Sequence, residues 1–351
     1  MTFSPAEQAA MARALELART PGVPLGPNPR VGCVLLGPDG TTVAEGHHRG
    51  AGTPHAEVDA LARAGRHARG ATAVVTLEPC NHTGRTGPCS RALIEAGVAR
   101  VVYAQSDANP VAVGGAGTLR AAGVDVEGGL MVEAARAVNR TWTFAVDHQR
   151  PYVSWKLATT LDGRSAAADG SSRWVSSRAA RLDTHRLRGL CDAILVGTGT
   201  VLEDDPQLTV RDELDAPLPP ERQPLRVVMG LRELPAGRRV LDAAAETVVL
   251  RTRDPHEVLA HLHRRDRQHL FLEGGPTVAA AFLRAGLVDE VVAYVAPLLL
   301  GAGHPAVGDL GIGSITAALH LEVTDVAVLE SSSPDEDTNV RLTMTPRKEG
   351  S

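Results

Sequence analysis

Apolar positions along the first half of the chain alternate between helix-like and strand-like spacing. The segment that begins the chain places Ala9, Ala12, Leu15 and Ala18 at helical intervals and predicts an amphipathic helix. Short continuous apolar runs then predict buried strands, with helical stripes between them. The predicted strands are 31–36, 42–45, 73–77 and 101–104, and the predicted helices carry Val58, Leu61 and Ala62, or Leu93 and Ile94. This alternation is typical of an α/β domain.

The same alternation resumes beyond a seam at residues 141–151, where the helical periodicity stops. Arg150-Pro151 there precedes a new strand. The second half has predicted strands at 152–157, 193–196, 225–229, 247–250, 269–273 and 290–295, and predicted helices at 256–264 and 277–285. Segments 211–224 and 331–337, rich in proline or acidic residues, are predicted surface loops. Because no internal repeat relates the halves, we predict two different α/β domains, over residues 1–147 and 151–347.

Length and charge narrow the class of protein. A chain of 351 residues is long enough for two domains of ordinary size. Its net charge of -5 lacks the excess of basic residues that is typical of general nucleic-acid binding. The longest apolar stretch, near residues 291–300, is too short for a bilayer, and the N-terminus lacks the apolar region of a secretory signal. These features predict a cytoplasmic protein with no membrane or nucleic-acid partner.

One histidine and two cysteines form a candidate zinc site. The four cysteines of the chain are Cys33, Cys80, Cys89 and Cys191. In a long cytoplasmic chain, thiols favour metal binding, catalysis or core packing over disulfides. His55, Cys80 and Cys89 together offer three good zinc ligands, which leave a fourth position for water. Glu57 is the candidate to take a proton from that water.

The spacing of these residues places them at helix starts. His55 and Glu57 are two residues apart, and side chains with this spacing diverge in the middle of a helix. Both reach one site only at the irregular start of a helix, with which Pro54 is compatible. Cys89 similarly follows Pro88, where the helix dipole favours a thiolate. The H-x-E and P-C pattern is that of zinc deaminases, except that eight residues instead of two separate the cysteines.

Two other interpretations of this motif stay open on the residues alone. A structural zinc site would use the same three ligands with His82 as a fourth, although Glu57 has no role in such a site. A nucleic-acid base deaminase of the tRNA-adenosine type would also share the motif. The cysteine spacing and the acidic charge balance argue against the second interpretation.

Six segments carry a more specific pattern. They are 27–32, 51–57 and 78–89 in the first half and 156–164, 204–209 and 273–277 in the second. In these segments the chain resembles the bifunctional riboflavin biosynthesis deaminase/reductase family, RibD. The resemblance covers nearly the whole chain in the family's order. It implies an α/β chain with a cytidine-deaminase-like domain followed by a dihydrofolate-reductase-like domain.

The resemblance also implies two consecutive reactions. The first is zinc-dependent deamination of 2,5-diamino-6-(5-phosphoribosylamino)pyrimidin-4-one. The second is NADPH-dependent reduction of the ribosyl chain of the product to ribityl. The matching positions of the first domain are His55, Cys80 and Cys89 for zinc, Glu57 for the proton shuttle, and Asn28 and His82 for the substrate.

Two strand-to-helix junctions in the second half suit a nucleotide. Glycines in residues 197–200 let backbone amides approach a phosphate. Residues 273–277 place Pro276 in the first turn of a helix, whose N-terminus can receive a diphosphate. By resemblance, NADP contacts Ala158, Trp174, Thr200, Asp204, Gly275, Pro276, Thr277, Val278, Ala279, Ala280 and Ala281. The matching substrate positions are Ser172, Arg188, Leu208, Arg211 and Glu273.

The chemistry of the second domain falls to a few of these side chains. Arg188 and Arg211 suit a phosphate, because a guanidinium presents a planar fork of donors. Lys156 and Asp204 are the candidates for polarising and protonating the opened sugar. Leu231 stands where a small polar residue is expected to contact the cofactor. This difference leaves open the interpretation that the deaminase is active but that the reductase half has lost its activity or changed its specificity. We also expect a homo-oligomer, the commonest assembly for such enzymes.

Overall fold

The computed structural model describes residues 3–21, 23, 26–82, 87–109, 112–172, 175–330 and 338–347. It divides into two compact units, Met1–Gln149 and Arg150–Ser351. Trp174, residues 83–86 of the substrate loop and the predicted loop 331–337 lie outside the described residues. Within the described segments, none of the helices is long and apolar enough to cross a bilayer.

The first unit is a five-stranded mixed sheet with helices on both faces. Its elements are α1 (Pro5–Ala18), β1 (Gly32–Leu36), β2 (Thr42–His47), α2 (Ala56–Ala64), β3 (Thr72–Leu77), α3 (Cys89–Glu95), β4 (Arg100–Gln105), α4 (Gly115–Ala121), β5 (Asp125–Gly128), α5 (Val132–Val138) and α6 (Arg140–His148). The strand order is β2-β1-β3-β4-β5. β1 is antiparallel to β2 and β3, whereas β3, β4 and β5 are parallel.

Residue alternation in the strands separates the two cores of this unit. In β1, Cys33 and Leu35 pack with α2, α3 and α4 on one face. Val34 and Leu36 pack with α1 and α5 on the other face. This two-sided burial explains why β1 is a continuous apolar run instead of an alternating one.

Two glycines allow helices to approach the sheet without a side chain between them. A Cβ atom on Gly46 of β2 would lie 2.4 Å from the carbonyl oxygen of Ala56, at the start of α2. A Cβ atom on Gly115 would lie 1.7 Å from the carbonyl oxygen of Pro79. Neither distance is sterically possible, so both positions require glycine. These contacts fix the first turn of α2 against β2, and the first turn of α4 against the segment that follows β3.

The second unit is an eight-stranded sheet with a separate two-stranded ribbon. Its elements are β6 (Tyr152–Thr160), β7 (Arg164–Ala166), α7 (Arg178–Arg188), β8 (Ala193–Gly197), α8 (Thr198–Asp204), β9 (Leu225–Met229), β10 (Thr247–Leu250), α9 (Pro255–His263), β11 (His269–Leu272), α10 (Pro276–Arg284), β12 (Glu290–Ala296), β13 (His304–Pro305), β14 (Leu321–Leu329) and β15 (Asn339–Pro346). The sheet order is β10-β9-β8-β11-β6-β12-β15-β14, and β13 pairs with β7.

Parallel pairing from β10 to β12 leaves the carboxyl ends of six strands at one edge of the sheet. α9 and α10 cover one face, through Leu259, Leu262 and Phe282. α8 and residues near the end of α7 cover the other, where Val201 packs against Val196 and Phe271. In open parallel sheets of this kind, ligands bind outside the carboxyl ends of the strands.

The predicted order of strands and helices agrees with the structure, with three corrections. In α1 the buried positions are Ala10, Met11, Ala14, Leu15 and Ala18, so Ala9 and Ala12 face solvent contrary to prediction. The predicted seam at 141–151 is helical as far as His148, because Trp142 and Ala145 are buried. The third correction concerns elements that were not predicted, namely β5, α5, β7, α7, β13, β14 and β15. Of these, β14 is an edge strand with most of its residues exposed.

The largest fully buried side chain is a charged one, Arg226 of β9. Its Nη1 donates to the carbonyl oxygen of Gln207 at 3.1 Å and to Oδ1 of Asp242 at 2.9 Å. Its Nη2 donates to the carbonyl oxygens of Asp242 and Ala245, both at 2.5 Å. The guanidinium therefore donates hydrogen bonds to buried main-chain carbonyl groups of separate segments. An apolar side chain at this position could not satisfy these acceptors.

We predict that Arg226→Met lowers the free energy of unfolding of the second unit by about 3 kcal/mol, because several buried acceptors lose their donor at once. The matched control is Arg251→Met, which removes an exposed ion pair with Glu233 and should cost less than about 1 kcal/mol. Denaturant unfolding followed by circular dichroism measures both changes. Equal losses in the two variants would contradict the structural role of Arg226.

Candidate active sites

The end of β3 and the starts of α2 and α3 bring the predicted zinc ligands together. His55 is the residue that caps the N-terminus of α2, with extended backbone, and Cys89 is the first residue of α3. Cys80 follows β3. The donor atoms of these three residues all lie within 4.8 Å of one another. His55 Nδ1 lies 3.2 Å from Cys89 Sγ and 3.5 Å from Cys80 Sγ.

These separations fit a tetrahedral metal. Zinc bonds of about 2.3 Å to sulfur and about 2.0 Å to nitrogen separate neighbouring donors by roughly 3.5 Å. One imidazole and two thiols are also ligands that zinc prefers. His82, the alternative fourth ligand, is not part of this group; its Nδ1 atom is buried without a partner among the described residues. The arrangement is thus a three-ligand site.

The two thiols differ in acidity because they share hydrogen bonds. Hydrogen bonding from Cys89 lowers the pKa of Cys80 to about 4, against the opposing effect of burial, and His55 lowers it further. Interaction with Cys80, together with burial, raises the pKa of Cys89 well above its usual value. The backbone N–H of Cys89 also donates to Cys80 Sγ at 3.4 Å. Cys80 is therefore prepared as a thiolate before a metal arrives.

Glu57 lies in the first turn of α2 beside this group and is 4% exposed. Burial raises the pKa of its carboxyl group to about 7, and the nearby Cys80 adds to the effect. A carboxyl group with this pKa can both accept and release a proton near neutral pH, which general acid–base catalysis requires. The predicted placement of His55 and Glu57 at an irregular helix start agrees with the structure.

A cavity of about 310 Å³ opens over these residues. Asn28, His48, Glu57, His82, Asp107 and Trp142 are among the residues that line it. His48, which the sequence analysis missed, has its Nδ1 atom 3.0 Å from the carbonyl oxygen of Pro54 and its Nε2 atom 3.0 Å from Asn28 Nδ2. Nδ1 is therefore the protonated nitrogen, and Nε2 accepts from the Asn28 amide. This arrangement leaves Asn28 Oδ1 as an acceptor for a ligand.

A larger cavity, of about 870 Å³, lies in the second unit. Eight of the predicted positions line it: Lys156, Ala158, Ser172, Arg188, Asp204, Leu208, Arg211 and Glu273. The strands β6 and β11, the end of α7 and the end of α8 supply most of them. Leu208 contributes backbone only, because its side chain is 4% exposed and packs in the core. Trp174, also predicted here, lies outside the described residues.

A buried ion pair organises this cavity. Arg188 donates through Nε and Nη2 to the two carboxylate oxygens of Glu273, at 2.5 and 2.8 Å, and through Nη1 to the carbonyl oxygen of Thr209. Burial alone would raise the pKa of Glu273, but Arg188 lowers it below its usual value. The fork of Arg188, which we expected to face a phosphate, is therefore largely engaged with Glu273.

Lys156 is partly buried near this pair. No carboxylate in the described part of the chain lies within 4 Å of its Nζ atom, which sits 5.8 Å from the centre of the Tyr294 ring. Burial lowers the pKa of Lys156, against the opposing charge of Glu273. A lowered pKa makes the ammonium a better proton donor.

The two predicted cofactor junctions face each other. A Cβ atom on Gly275 would lie 3.8 Å from Oγ1 of Thr200, so the starts of α8 and α10 are adjacent. Within residues 275–281, however, Ala279 and Ala280 are 0% and 2% exposed, and their side chains belong to the protein interior. Among these positions Ala279 and Ala280 therefore cannot offer their side chains to a ligand. Leu231, which stands where a small polar residue was expected, is 53% exposed.

Family models match both units. Residues 4–105 match the cytidine and deoxycytidylate deaminase zinc-binding region. Residues 151–332, more than half of the chain, match the RibD C-terminal domain. The predicted fold class, a deaminase-like domain followed by a reductase domain, is confirmed.

Curated relatives and solved structures cover most of the chain. The riboflavin biosynthesis protein RibD of Mycobacterium tuberculosis is 54% identical over 88% of this chain and 89% of its own length. The Escherichia coli protein of the same name is 44% identical over 83% and 88%. Acinetobacter baumannii RibD superposes with a TM-score of 0.89 at 36% identity, covering 98% of this chain and 99% of that one.

A Thermotoga maritima structure has a TM-score of 0.84 at 32% identity and covers 97% of this chain and 99% of its own. It is described as a diaminohydroxyphosphoribosylaminopyrimidine deaminase/5-amino-6-(5-phosphoribosylamino)uracil reductase. Similarity of this extent in both units argues against a nucleic-acid base deaminase and against a structural zinc protein. The chain belongs to the RibD family of bifunctional riboflavin biosynthesis deaminase/reductases.

Proposed function

We propose that the first unit deaminates 2,5-diamino-6-(5-phosphoribosylamino)pyrimidin-4-one and that the second reduces the ribosyl chain of the product to ribityl. We assign the deaminase to residues 1–147 and the reductase to residues 151–347. The observation that carries the first assignment is the buried carboxyl of Glu57 beside three zinc-ligand side chains in one cavity. A structural metal site has no use for such a carboxyl.

In the deaminase, His55, Cys80 and Cys89 would hold zinc, which supplies Lewis-acid activation of the attacking water. Glu57 accepts the proton that this water releases and passes it to the leaving amino group. The balance is hydrolytic: water replaces the amino group, a carbonyl forms on the ring and ammonia leaves. Asn28 Oδ1, oriented by His48, accepts a hydrogen bond from an N–H group on the pyrimidine edge.

In the reductase, NADPH supplies the hydride. Lys156 and Asp204, which lies at the end of α8, line the same cavity and are the two groups that polarise and protonate the opened sugar. Glu273 keeps Arg188 in place and remains charged itself. The first turn of α10 offers the backbone N–H groups of Gly275 and Thr277 to the cofactor phosphates. Ser172, Arg211 and the backbone of Leu208 complete the substrate wall.

We further propose that the protein works in the cytoplasm and forms a homo-oligomer. The described structure contains four free cysteines and no disulfide between them, as expected for a reducing compartment. Closed homo-oligomers are the commonest assembly for soluble enzymes.

The proposal predicts coupled activities in one tube. Adding the diaminopyrimidinone ribosyl phosphate to the zinc-loaded protein with NADPH should release ammonia and then consume NADPH in a one-to-one ratio. Ammonia release and the absorbance of NADPH are followed together. Ammonia release without loss of NADPH would contradict the reductase assignment. If the zinc-loaded protein released no ammonia and consumed no NADPH, the deaminase and the reductase assignments would both be contradicted.

Glu57→Gln should bind one equivalent of zinc and lose deamination by about 10²–10⁴-fold, because the amide cannot carry a proton. Cys80→Ser should instead lose zinc itself. The matched control is Glu95→Gln, which removes an exposed carboxylate paired with Arg91 on the same unit and should change neither quantity. Metal analysis and ammonia release measure the outcome. Substantial activity in zinc-loaded Glu57→Gln would remove this residue from proton transfer.

Lys156→Met keeps the apolar stem of the side chain and removes its proton donor. We expect NADPH oxidation to fall by about 10²-fold or more while ammonia release stays at the wild-type rate. Assaying the reductase with the deaminated intermediate isolates the second reaction. A parallel fall of both activities would point to a folding defect instead of a catalytic role for Lys156.

A further inference from the structure

One face of α7 lines the cavity of the second unit with basic side chains. Arg178, Arg181, His185 and Arg188 recur at intervals of three or four residues and all line the cavity. Residues at this spacing share one side of a helix. Arg211 lines the same cavity from the segment that follows α8. The wall around His185 is therefore rich in guanidinium groups.

Protein groups already engage the two arginines, Arg188 and Arg211, whose charges act on His185. Arg188 makes its bidentate pair with Glu273 and a third bond to Thr209. Arg211 donates to the carbonyl oxygen of Asp215 at 2.8 Å and to Oε1 of Gln207 at 3.0 Å, with the Asp215 carboxylate at 3.5 Å. Two positive charges are thus matched by two carboxylates before any ligand binds.

Among the described residues, the imidazole of His185 is not paired with another side chain in this way, and its two ring nitrogens lie in different surroundings. Nδ1 is buried and has no hydrogen-bond partner in the described part of the chain, whereas Nε2 is open to the cavity. A proton on Nδ1 would bury an unsatisfied donor, which is costly. The favoured form is therefore the neutral ring with its proton on Nε2.

The charges around the ring favour the same form. Burial, and then the positive charge of Arg188, lowers the pKa of His185 to about 4; Arg211 adds to this effect, and Glu273 and Asp215 oppose it. A histidine with a lowered pKa gains its charge only when the pH falls through that value. Between pH 6 and pH 8 His185 is thus an uncharged donor that faces the cavity.

We propose that His185 donates its Nε2–H to a phosphate oxygen of the ribosyl phosphate substrate and so helps to select the phosphorylated form. The inference rests on the proposed reductase function. A phosphate offers acceptor oxygens to this cationic wall, where the nearest guanidinium forks are already engaged. An uncharged donor adds a hydrogen bond to the phosphate and leaves the net charge of the cavity unchanged.

Steady-state reduction of 5-amino-6-(5-phosphoribosylamino)uracil tests this proposal in the full chain. His185→Ala should raise the KM for this substrate about tenfold, the effect of one lost hydrogen bond to a charged group, with kcat little changed. The KM for NADPH should not move. Between pH 6 and pH 8 the ratio of wild-type to variant KM should stay constant, since no charge on His185 is involved.

Two isosteric variants locate the nitrogen that matters. The amide nitrogen of glutamine can occupy the place of Nε2, whereas the amide nitrogen of asparagine reaches only the place of Nδ1. His185→Gln should therefore retain most of the wild-type affinity for the substrate, and His185→Asn should lose it. Arg186→Gln is the matched control, because Arg186 is exposed, lies next to His185 and does not line the cavity. If His185→Ala fails to fold, the Gln and Asn variants provide the same contrast.

Comparison with the phosphate-free substrate decides which group is contacted. Wild type and His185→Ala should reduce the phosphate-free compound with equal kcat/KM. An equal loss on both substrates, or a rise in the KM for NADPH, would overturn the proposal. Absence of NADPH oxidation in the wild type would instead contradict the reductase function itself. Unchanged ammonia release in every variant shows that the first unit is intact.

Discussion

Direct backbone contact between helix and sheet sets the position of the zinc site. At Gly46 the first turn of α2 approaches β2 so closely that no side chain fits between them. This contact fixes the start of α2, which carries His55 and Glu57, directly against β2. A side chain at position 46 would push the helix start away from the sheet and would disturb the close grouping of the three donor atoms. Metal binding thus depends on a residue that contributes no ligand.

The second cavity depends on charge balance instead of close packing. Glu273 and Arg188 are 85 residues apart in the chain and neutralise each other where β11 and α7 end. The pair is buried, so either partner alone would be strongly destabilising. Its neutrality shapes the site: Lys156 and His185 remain as donors whose pKa values are lowered by burial. A ligand in this cavity therefore meets two hydrogen-bond donors with lowered pKa values, Lys156 and His185. The arginines beside them already bind other groups of the protein.

The sequence alone predicted most elements and the zinc cluster, for identifiable reasons. Buried strands such as β3 and β9 are continuous apolar runs, and the spacing of His55, Glu57, Cys80 and Cys89 is chemically unusual. The face of α1 was misjudged because alanine occupies both its buried and its exposed positions. β14 escaped prediction because Val323, Val326 and Val328 are more than half exposed and show no inward face. His48 and His185 carry no local signal; their roles follow from partners and burial that only the fold supplies.

Arg226 has a consequence for the wall of the second cavity. Its guanidinium bonds to Asp242, the carboxylate of Asp242 accepts from the Gln207 amide at 2.7 Å, and Oε1 of Gln207 accepts from Arg211. An unbroken chain of hydrogen bonds therefore runs from a buried side chain of β9 to a side chain in the cavity. A substitution at Arg226 can therefore shift Arg211 in the second cavity, through hydrogen bonds and without any change in the residues of the cavity itself.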